Sequence, residues 1–259
     1  MLSRLSFFAL AAGLGLSACA PPITVATGPQ RTTTVTRPGT PAPTPTNVTV
    51  SKGAGPVSNP DAARSAARNF VQVVERLEPV AEQVCRANAP QLDCDFRIVV
   101  DDRPGQPANA FQTRDAQGRP LLAFTVALLS EVQNADELAF VLSHEAAHHI
   151  AGHLDRQSRN AAIGATVFGQ LASGLGGGNE SVVRTAQQLG AGFGARSYSK
   201  DFELEADALG ATIAKRAGYD AVKGAEFFLR IPDPGDRLLG THPPNAQRME
   251  IVRRTVAGL

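Results

Sequence analysis

The residues His144, Glu145 and His148 have the types and the spacing of a hydrolytic metal centre. On an α-helix, residues four apart stack on one face, so the imidazoles of His144 and His148 can reach the same metal ion. Glu145 lies beside them, where its carboxylate can take a proton from a metal-bound water. The alternative is a helix whose histidines are four apart by chance. A buried helix seldom carries two histidines and a glutamate without a use for them, which favours the metal centre.

A catalytic zinc site takes three protein ligands, so the two histidines require a third ligand elsewhere. In the three-histidine pattern of metzincins it would lie six residues after His148, where Leu154 stands. His149 and His153 are both offset from the metal-facing row of the helix. We therefore expect these two histidines to lie at the surface or behind the ligands, and not on the metal.

Acidic residues of a second predicted helix supply the candidate third ligand. Glu203 and Asp207 are four apart and share a face, whereas Glu205 points almost oppositely. We predict that Glu203 binds the metal and that Asp207 orients a ligating histidine, which is the usual division between a ligand and its support. The acids can also serve only to favour the positive end of a helix dipole, and for Glu205 that interpretation is preferred.

The elements that must position these residues are predicted to be mainly helical. Ala135–Ile150 has apolar residues at helical spacing and no glycine or proline, which predicts the metal helix. A longer helix is predicted for Asp61–Ala89, with Pro79 kinking or dividing it, and a last helix for Asn245–Val256. Short β-branched segments between turn residues predict three strands, Phe96–Val100, Asn109–Thr113 and Pro120–Phe124. Together these elements predict an α+β fold with a small β-sheet beside the metal helix.

Two further segments are predicted to border a cleft. A free edge of the sheet can hold an extended peptide by main-chain hydrogen bonds, although the strands can also serve only to cover the core. Residues 156–197 are rich in small residues, including Gly164, Gly169, Gly174 and the run 176–178. We expect a helical insertion that packs near the cleft as a lid. The alternative is a segment that touches a membrane, although its apolar part is shorter than a membrane span.

The first residues predict export and a lipid anchor. Arg4 precedes the apolar stretch Leu5–Leu16, as in a signal peptide. The sequence Leu16–Cys19 resembles the lipobox of bacterial lipoproteins, which implies cleavage before Cys19 and acylation of its thiol. Because Ala20 follows, the pattern suggests transport to the outer membrane, with the protein on its periplasmic face. An ordinary signal peptide with a chance cysteine is the alternative.

The chain is thus predicted to have three parts. Residues 1–18 are the signal peptide, residues 19–59 are the lipidated cysteine with a flexible Pro- and Thr-rich tether, and residues 60–259 are one folded domain. Once Cys19 is acylated, Cys85 and Cys94 remain as a pair in an oxidising compartment, and we predict a disulfide between them. Two buried free thiols are the alternative. The formal net charge is +1 without a basic run, so composition gives no support for nucleic-acid binding.

The order of these motifs resembles the HtpX-like and CAAX-prenyl-endopeptidase family of metallopeptidases (metallopeptidase family forty-eight). The resemblance covers residues from about 62 to 259 and rests on His144–His148, on Glu203–Asp207 about 55 residues later, and on Thr241–Pro244 with Arg248. It implies a gluzincin fold with one Zn²⁺ per chain and Glu145 as the general base. The implied zinc ligands are His144, His148 and Glu203.

The same resemblance assigns roles to residues outside the metal motif. The edge strand that borders the substrate in this family is similar to Asn109, Ala110 and Phe111. His242 would approach the metal or stabilise the oxyanion, although its His-Pro sequence can also simply start the last helix. Arg248 would help to shape the cleft. Ser199–Lys200 departs from the Ser-Arg pair usual in the family, and lysine keeps the charge but lacks the planar fork of arginine.

The resemblance implies a zinc endopeptidase in the bacterial cell envelope, similar to the periplasmic lipoprotein peptidases of the family, which act in outer-membrane protein quality control. Its partners would be protein or peptide substrates, in particular unfolded outer-membrane proteins, and the membrane that holds the anchor. Two rival hypotheses are a low-activity or non-catalytic envelope chaperone or assembly factor on the same fold, and a metal-dependent amidase acting on cell-wall peptides. The four polar residues of the metal motif favour the enzyme, because a binding module has no need for all of them.

Overall fold

The computed structural model describes residues 60–174, 179–197, 199–233 and 242–259. The predicted signal peptide, Cys19, the tether, the glycines at 176–178 and Thr241 lie outside the described residues, so the predictions made for them stay predictions. Within the described ranges, no helix is both long enough and apolar enough to cross a membrane.

The described residues form one sheet of three strands, β1 (Arg97–Asp101), β2 (Ala110–Arg114) and β3 (Pro120–Thr125). Strand β3 lies in the middle, parallel to β1 and antiparallel to β2, so β2 forms one edge. The middle strand is the most buried of the three, as its neighbours on both sides require. The predicted strands are confirmed to within one residue at each end.

The described residues also form eight α-helices and a 3-10 turn over Glu226–Leu229. The helices are α1 (Pro60–Asn88), α2 (Val126–Glu131), α3 (Ala135–Ile150), α4 (His153–Gly174), α5 (Glu180–Arg196), α6 (Ser199–Arg216), α7 (Ala221–Ala225) and α8 (Asn245–Ala257). Helix α3 has the predicted bounds, and α1 and α8 differ from prediction by one residue. Pro79 lies inside α1 and does not divide it, contrary to one of the two predicted outcomes. The fold is α+β and mainly helical, as predicted.

Helix α3 lies at the centre of the core. Its N-terminus is capped by Asn134, whose side chain accepts a hydrogen bond from the Glu137 amide at 3.0 Å. Helices α1, α6 and α7 and strand β2 all pack against α3, so even its polar side chains are mostly buried. Gly210 of α6 approaches so closely that an added Cβ would lie 3.0 Å from the His144 amide nitrogen. Helix α6 is therefore packed directly on the part of α3 that carries the metal motif.

Helices α4 and α5 form an antiparallel hairpin between α3 and α6 in the chain. Glycines allow the two helices to pack closely, because a Cβ added at Gly164, Gly190 or Gly194 would lie 2.0 to 2.2 Å from a backbone oxygen of the other helix. The helical insertion predicted for residues 156–197 is confirmed, and its action as a lid stays a prediction. Several large apolar side chains of the hairpin are exposed: Ile163, Val167, Leu171, Val182, Leu189 and Phe193.

A disulfide joins the end of α1 to the segment that leads into β1. The Sγ atoms of Cys85 and Cys94 are 1.95 Å apart, so the structure contains the predicted bridge rather than two free thiols. The closed loop carries Asp93, whose backbone oxygen accepts a hydrogen bond from His149 Nε2 at 2.7 Å. The disulfide loop thus contacts the C-terminal end of the metal helix.

Candidate metal centre

Helix α3 brings the two motif histidines together on one face. The Nε2 atoms of His144 and His148 are 3.0 Å apart, and the two rings meet edge to face with centroids 4.6 Å apart. The His144 side chain is buried and the His148 side chain is 17% exposed towards the cleft. The four-residue spacing therefore produces the shared face that the sequence predicts.

Helix α6 places Glu203 opposite the two histidines. One carboxylate oxygen lies 3.5 Å from His144 Nε2 and the other 3.4 Å from His148 Nε2. Ligands of a tetrahedral zinc ion at ~2.0–2.2 Å from the metal are separated by about 3.3 Å, so these separations fit. Two imidazoles and a carboxylate are also a donor set that zinc prefers. Among the described residues, this is the group that can hold a metal ion.

Asp207 and Arg248 support the His144 side of the centre. Asp207 is fully buried and its Oδ1 lies 2.9 Å from His144 Nδ1. Arg248 of α8 donates two hydrogen bonds of 2.7 Å to the same carboxylate, and its guanidinium carbon lies 3.6 Å from the centroid of the Phe228 ring. Asp207 lies where the sequence predicts a supporting carboxylate. The ion pair with Arg248 was not predicted, since 41 residues separate the two along the chain.

The carboxylates of the centre favour a positive charge between them. Burial alone would lower the pKa of His144, but its hydrogen bonds to Asp207 and Glu203 outweigh burial and raise that pKa to about 10. Burial would also raise the pKa of Glu203, yet the hydrogen bond from His144 and the nearby positive charges hold it well below its usual value. Without a metal, the carboxylates thus retain a proton on His144. A divalent cation can take over the role of that proton.

Behind His148 lies His153, the first residue of α4. The Nδ1 atoms of the two rings are 2.8 Å apart, and His153 Nε2 lies 3.2 Å from Glu205 Oε2. Arg156 donates a 2.6 Å hydrogen bond to the same oxygen. The preferred interpretation of Glu205 as an acid that only favours a helix terminus is therefore wrong, because Glu205 pairs with both His153 and Arg156.

His153 was predicted to lie at the surface or behind the ligands, and the structure places it behind His148. Helix α3 ends at Ile150, and Gly152 with φ of 65° turns the chain before α4 begins. His153 therefore returns to the ligands, buried and stacked on the Phe202 ring at 4.6 Å. Glycine just after a helical segment is the usual mark of a helix C-terminus and could have revealed the turn. The other offset histidine, His149, is buried on the far side, so it is neither at the surface nor behind a ligand.

Glu145 lies in the same cleft, beside the edge strand. Burial raises the pKa of Glu145 to about 7, and the charges of His144 and Arg248 limit the rise. The backbone of Gln112 in that strand also helps to lower the pKa of the Glu145 carboxyl group. A carboxylate with such a pKa can gain and lose a proton near neutral pH, which is what a general base and acid must do.

Strand β2 forms one wall of this cleft. Ala110, Phe111 and Gln112 line it, opposite the first turns of α4 and the start of α6. Asn109 lies just before the strand and is joined to Thr125: its amide donates to Oγ1 at 2.9 Å and its carbonyl accepts from the Thr125 amide at 3.0 Å. Because backbone groups alternate in direction along a strand, those of Ala110 point to the free edge. The predicted edge-strand residues thus divide into an anchor, Asn109, and two residues that face the cleft.

His242 stands at the rim of the cleft, just before α8. Its Nε2 lies 3.7 Å from Glu203 Oε2, and its side chain is 51% exposed. The two predicted positions of this residue are compatible, since it borders the centre and also precedes the helix that begins at Asn245. Ser199 also lines the cleft, whereas Lys200, beside it, does not.

Comparison with known proteins shows the family to which this chain belongs. Residues 68–256 match the model of the family described as peptidase family M48. The chain belongs to peptidase family M48. It is similar to a candidate beta-barrel assembly-enhancing protease of Vibrio cholerae, with 32% identity over 129 residues. That match covers 45% of this chain and 26% of the Vibrio protein, so the chain spans only about a quarter of that relative's length. The matched range includes every residue of the centre described above, from His144 to Arg248.

Proposed function

We propose that this M48 peptidase is a zinc-dependent endopeptidase anchored in the bacterial cell envelope. The observation that carries the proposal is the arrangement of His144 Nε2, His148 Nε2 and the Glu203 carboxylate, which face one another at 3.0 to 3.5 Å. Glu145 lies beside them in a cleft with a free strand edge. The alignment of a metal site, a base and a peptide-binding edge is what peptide hydrolysis requires.

The residues divide the chemistry among themselves. His144, His148 and Glu203 would hold the zinc ion, which would supply Lewis acidity for the scissile carbonyl and for a water molecule. Glu145 accepts the proton of the attacking water and then delivers it to the leaving amine, for which its pKa of about 7 is suited. His242 stands where it can donate to the developing oxyanion. The backbone groups of Ala110 hold the substrate as an added strand.

The proposed substrates are misfolded or damaged envelope proteins, in particular unfolded outer-membrane proteins. The lipobox-like sequence ending at Cys19 supports an anchor on the periplasmic face of the outer membrane. The disulfide between Cys85 and Cys94 supports an oxidising compartment. The name of the Vibrio cholerae relative supports a role linked to the assembly of β-barrels. A cleft bordered by a strand edge suits extended, unfolded chains better than folded ones.

A Glu145→Gln variant tests the proposal. We expect it to bind one zinc ion per chain and to unfold like the parent, because the amide keeps the shape of the side chain. Casein hydrolysis should fall by about 10²-fold or more, because no base remains to take the proton. In cells, the inactive variant should retain envelope proteins that can be identified after purification.

The exposed Glu75→Gln on α1 is the matched control and should cleave casein at the parent rate. Parent activity should disappear with a zinc chelator and return when zinc is added. Hydrolysis by Glu145→Gln at the parent rate would contradict the mechanism. A parent that binds zinc and prevents aggregation of unfolded proteins without cleaving them would favour the chaperone or assembly factor instead.

A further inference from the structure

Each of the two histidines of the centre has a polar partner at Nδ1. The partner is a carboxylate for one histidine and an imidazole for the other. For each ring, Nε2 faces the other histidine and Glu203, so Nδ1 points away from the centre. His144 Nδ1 meets the Asp207 carboxylate at 2.9 Å, and His148 Nδ1 meets the imidazole of His153 at 2.8 Å. The sequence predicts Asp207 as the support of a ligating histidine, whereas it leaves His153 either at the surface or behind the ligands.

A metal bound at Nε2 of His148 would determine which atoms of this chain of contacts carry protons. A histidine that offers its Nε2 lone pair to a metal carries its proton on Nδ1, so His148 donates to Nδ1 of His153. His153 must then carry its own proton on Nε2, which faces Glu205 Oε2 at 3.2 Å. Arg156 donates to that same oxygen at 2.6 Å. Every contact from His148 to Arg156 thus has one donor and one acceptor.

The surroundings hold His153 in one orientation. Its ring is stacked on Phe202, with planes 11° apart and centroids 4.6 Å apart. The Arg156 guanidinium also lies over Phe202, 4.3 Å from the ring centroid. The His153 side chain is only 5% exposed, so water has little access to either ring nitrogen. Because the His153 ring is buried, stacked and hydrogen-bonded at both nitrogens, it holds the neighbouring His148 ring in one orientation.

We propose that His153 is a positioning residue of the metal centre, which together with Glu205 and Arg156 fixes the ring and the tautomer of His148. The inference rests on the proposed zinc site and adds to it a second support, on the side opposite Asp207. His153 touches neither metal nor substrate, so it acts through His148 alone. Its loss should weaken zinc binding, because His148 would then have to be ordered by the metal itself.

The test is the zinc dissociation constant of a His153→Phe variant of the full chain, measured by competition with a chromophoric chelator. Phenylalanine keeps the stack on Phe202 but cannot accept from His148. We expect the dissociation constant to rise by about 10- to 100-fold. His153→Gln should recover most of the affinity, because its amide oxygen can accept from His148 while its nitrogen donates to Glu205.

His149→Phe is the matched control, since it replaces a buried histidine of similar size that contacts Asp93 and not the ligands. It should lower the unfolding midpoint of the metal-free protein but leave zinc affinity within about twofold. Parent-like affinity in His153→Phe, or an equal loss in His149→Phe, would overturn the positioning role. If the parent itself neither bound zinc nor cleaved casein, the proposed function would fail as well, so the two failures can be told apart.

Discussion

At the scale of single residues, the metal centre combines three carboxylates, two histidines and one arginine in a small buried volume. The arginine donates two hydrogen bonds to Asp207 and also lies 3.4 Å from Glu203, so it balances part of the negative charge of the centre. Glu203 stays ionised, whereas burial raises the pKa of Glu145 to about 7. Two carboxylates in one cleft thus have different proton affinities, as a ligand and a general base require.

The pKa of Glu145 predicts how activity depends on pH. The base must be ionised to accept a proton, so kcat/KM should rise with pH and level off above the pKa of Glu145. That pKa is about 7 without a metal, and the positive charge of zinc lowers it, so the midpoint should lie at or below about pH 7. The measurement is kcat/KM for a peptide substrate over the pH range in which zinc stays bound. Activity that falls as pH rises towards 7 would contradict the assignment of the base.

At the scale of elements, the junction between α3 and α4 is as important as the helices themselves. Two residues separate the end of α3 at Ile150 from the start of α4 at His153. Gly152 takes a left-handed conformation there, with φ of 65°. An ordinary residue in that conformation loses about 1–2 kcal/mol. The backbone conformation of the junction therefore requires glycine. That conformation is what brings His153 into contact with His148.

Gly152→Ala should lower the free energy of unfolding by about 1–2 kcal/mol. The cause is backbone strain alone, since an added Cβ at this position would meet nothing within 4 Å. Denaturant unfolding of the metal-free protein measures it without a contribution from zinc binding. Gly192→Ala is the control: its Cβ also meets nothing, but it lies inside α5, so alanine should stabilise by about 0.5–1 kcal/mol. Equal effects of the two substitutions would contradict the account.

At the scale of the whole molecule, the disulfide connects the first helix to the metal helix through Asp93 and His149. It closes a loop between cysteines nine residues apart. Closing a loop of that size lowers the conformational entropy of the unfolded chain, which raises the free energy of unfolding by about 2–3 kcal/mol. Reduction of the metal-free protein should lower the free energy of unfolding by that amount, as measured by denaturant unfolding with and without a reductant. A Cys85→Ser, Cys94→Ser double variant should show no such difference, and a reductant effect that persisted in it would point to another cause.

Much of this fold can be predicted from the sequence, because local patterns determine local structure. The alanine-rich apolar stretch of α3 has no helix breaker, and the four-residue spacing of His144 and His148 fixes a shared face. The strands are short β-branched runs between turn residues, and a one-residue shift in their ends changes no conclusion. Glu203 can be predicted as the third ligand because its helix carries more acids than a cap needs.

The contacts that the sequence does not reveal are those made between elements. No local pattern pairs Arg248 with Asp207, because their meeting depends on the packing of α6 against α8. Which of its two predicted positions His153 takes depends on where α3 stops, at Ile150. The pairing of Glu205 with His153 follows from the same turn. Errors therefore concentrate where one element gives way to the next.

The hairpin of α4 and α5 also has a consequence for how the centre forms. His148 and Glu203 are about 55 residues apart, and bringing the ends of so long a chain together costs entropy. The hairpin is held by its own glycine contacts, which place its first and last turns side by side. With the hairpin formed, joining the two ligands has the entropic cost of closing a loop of roughly ten residues, which is lower by about 1.5 kcal/mol. A long insertion between two ligands thus acts as a short connection.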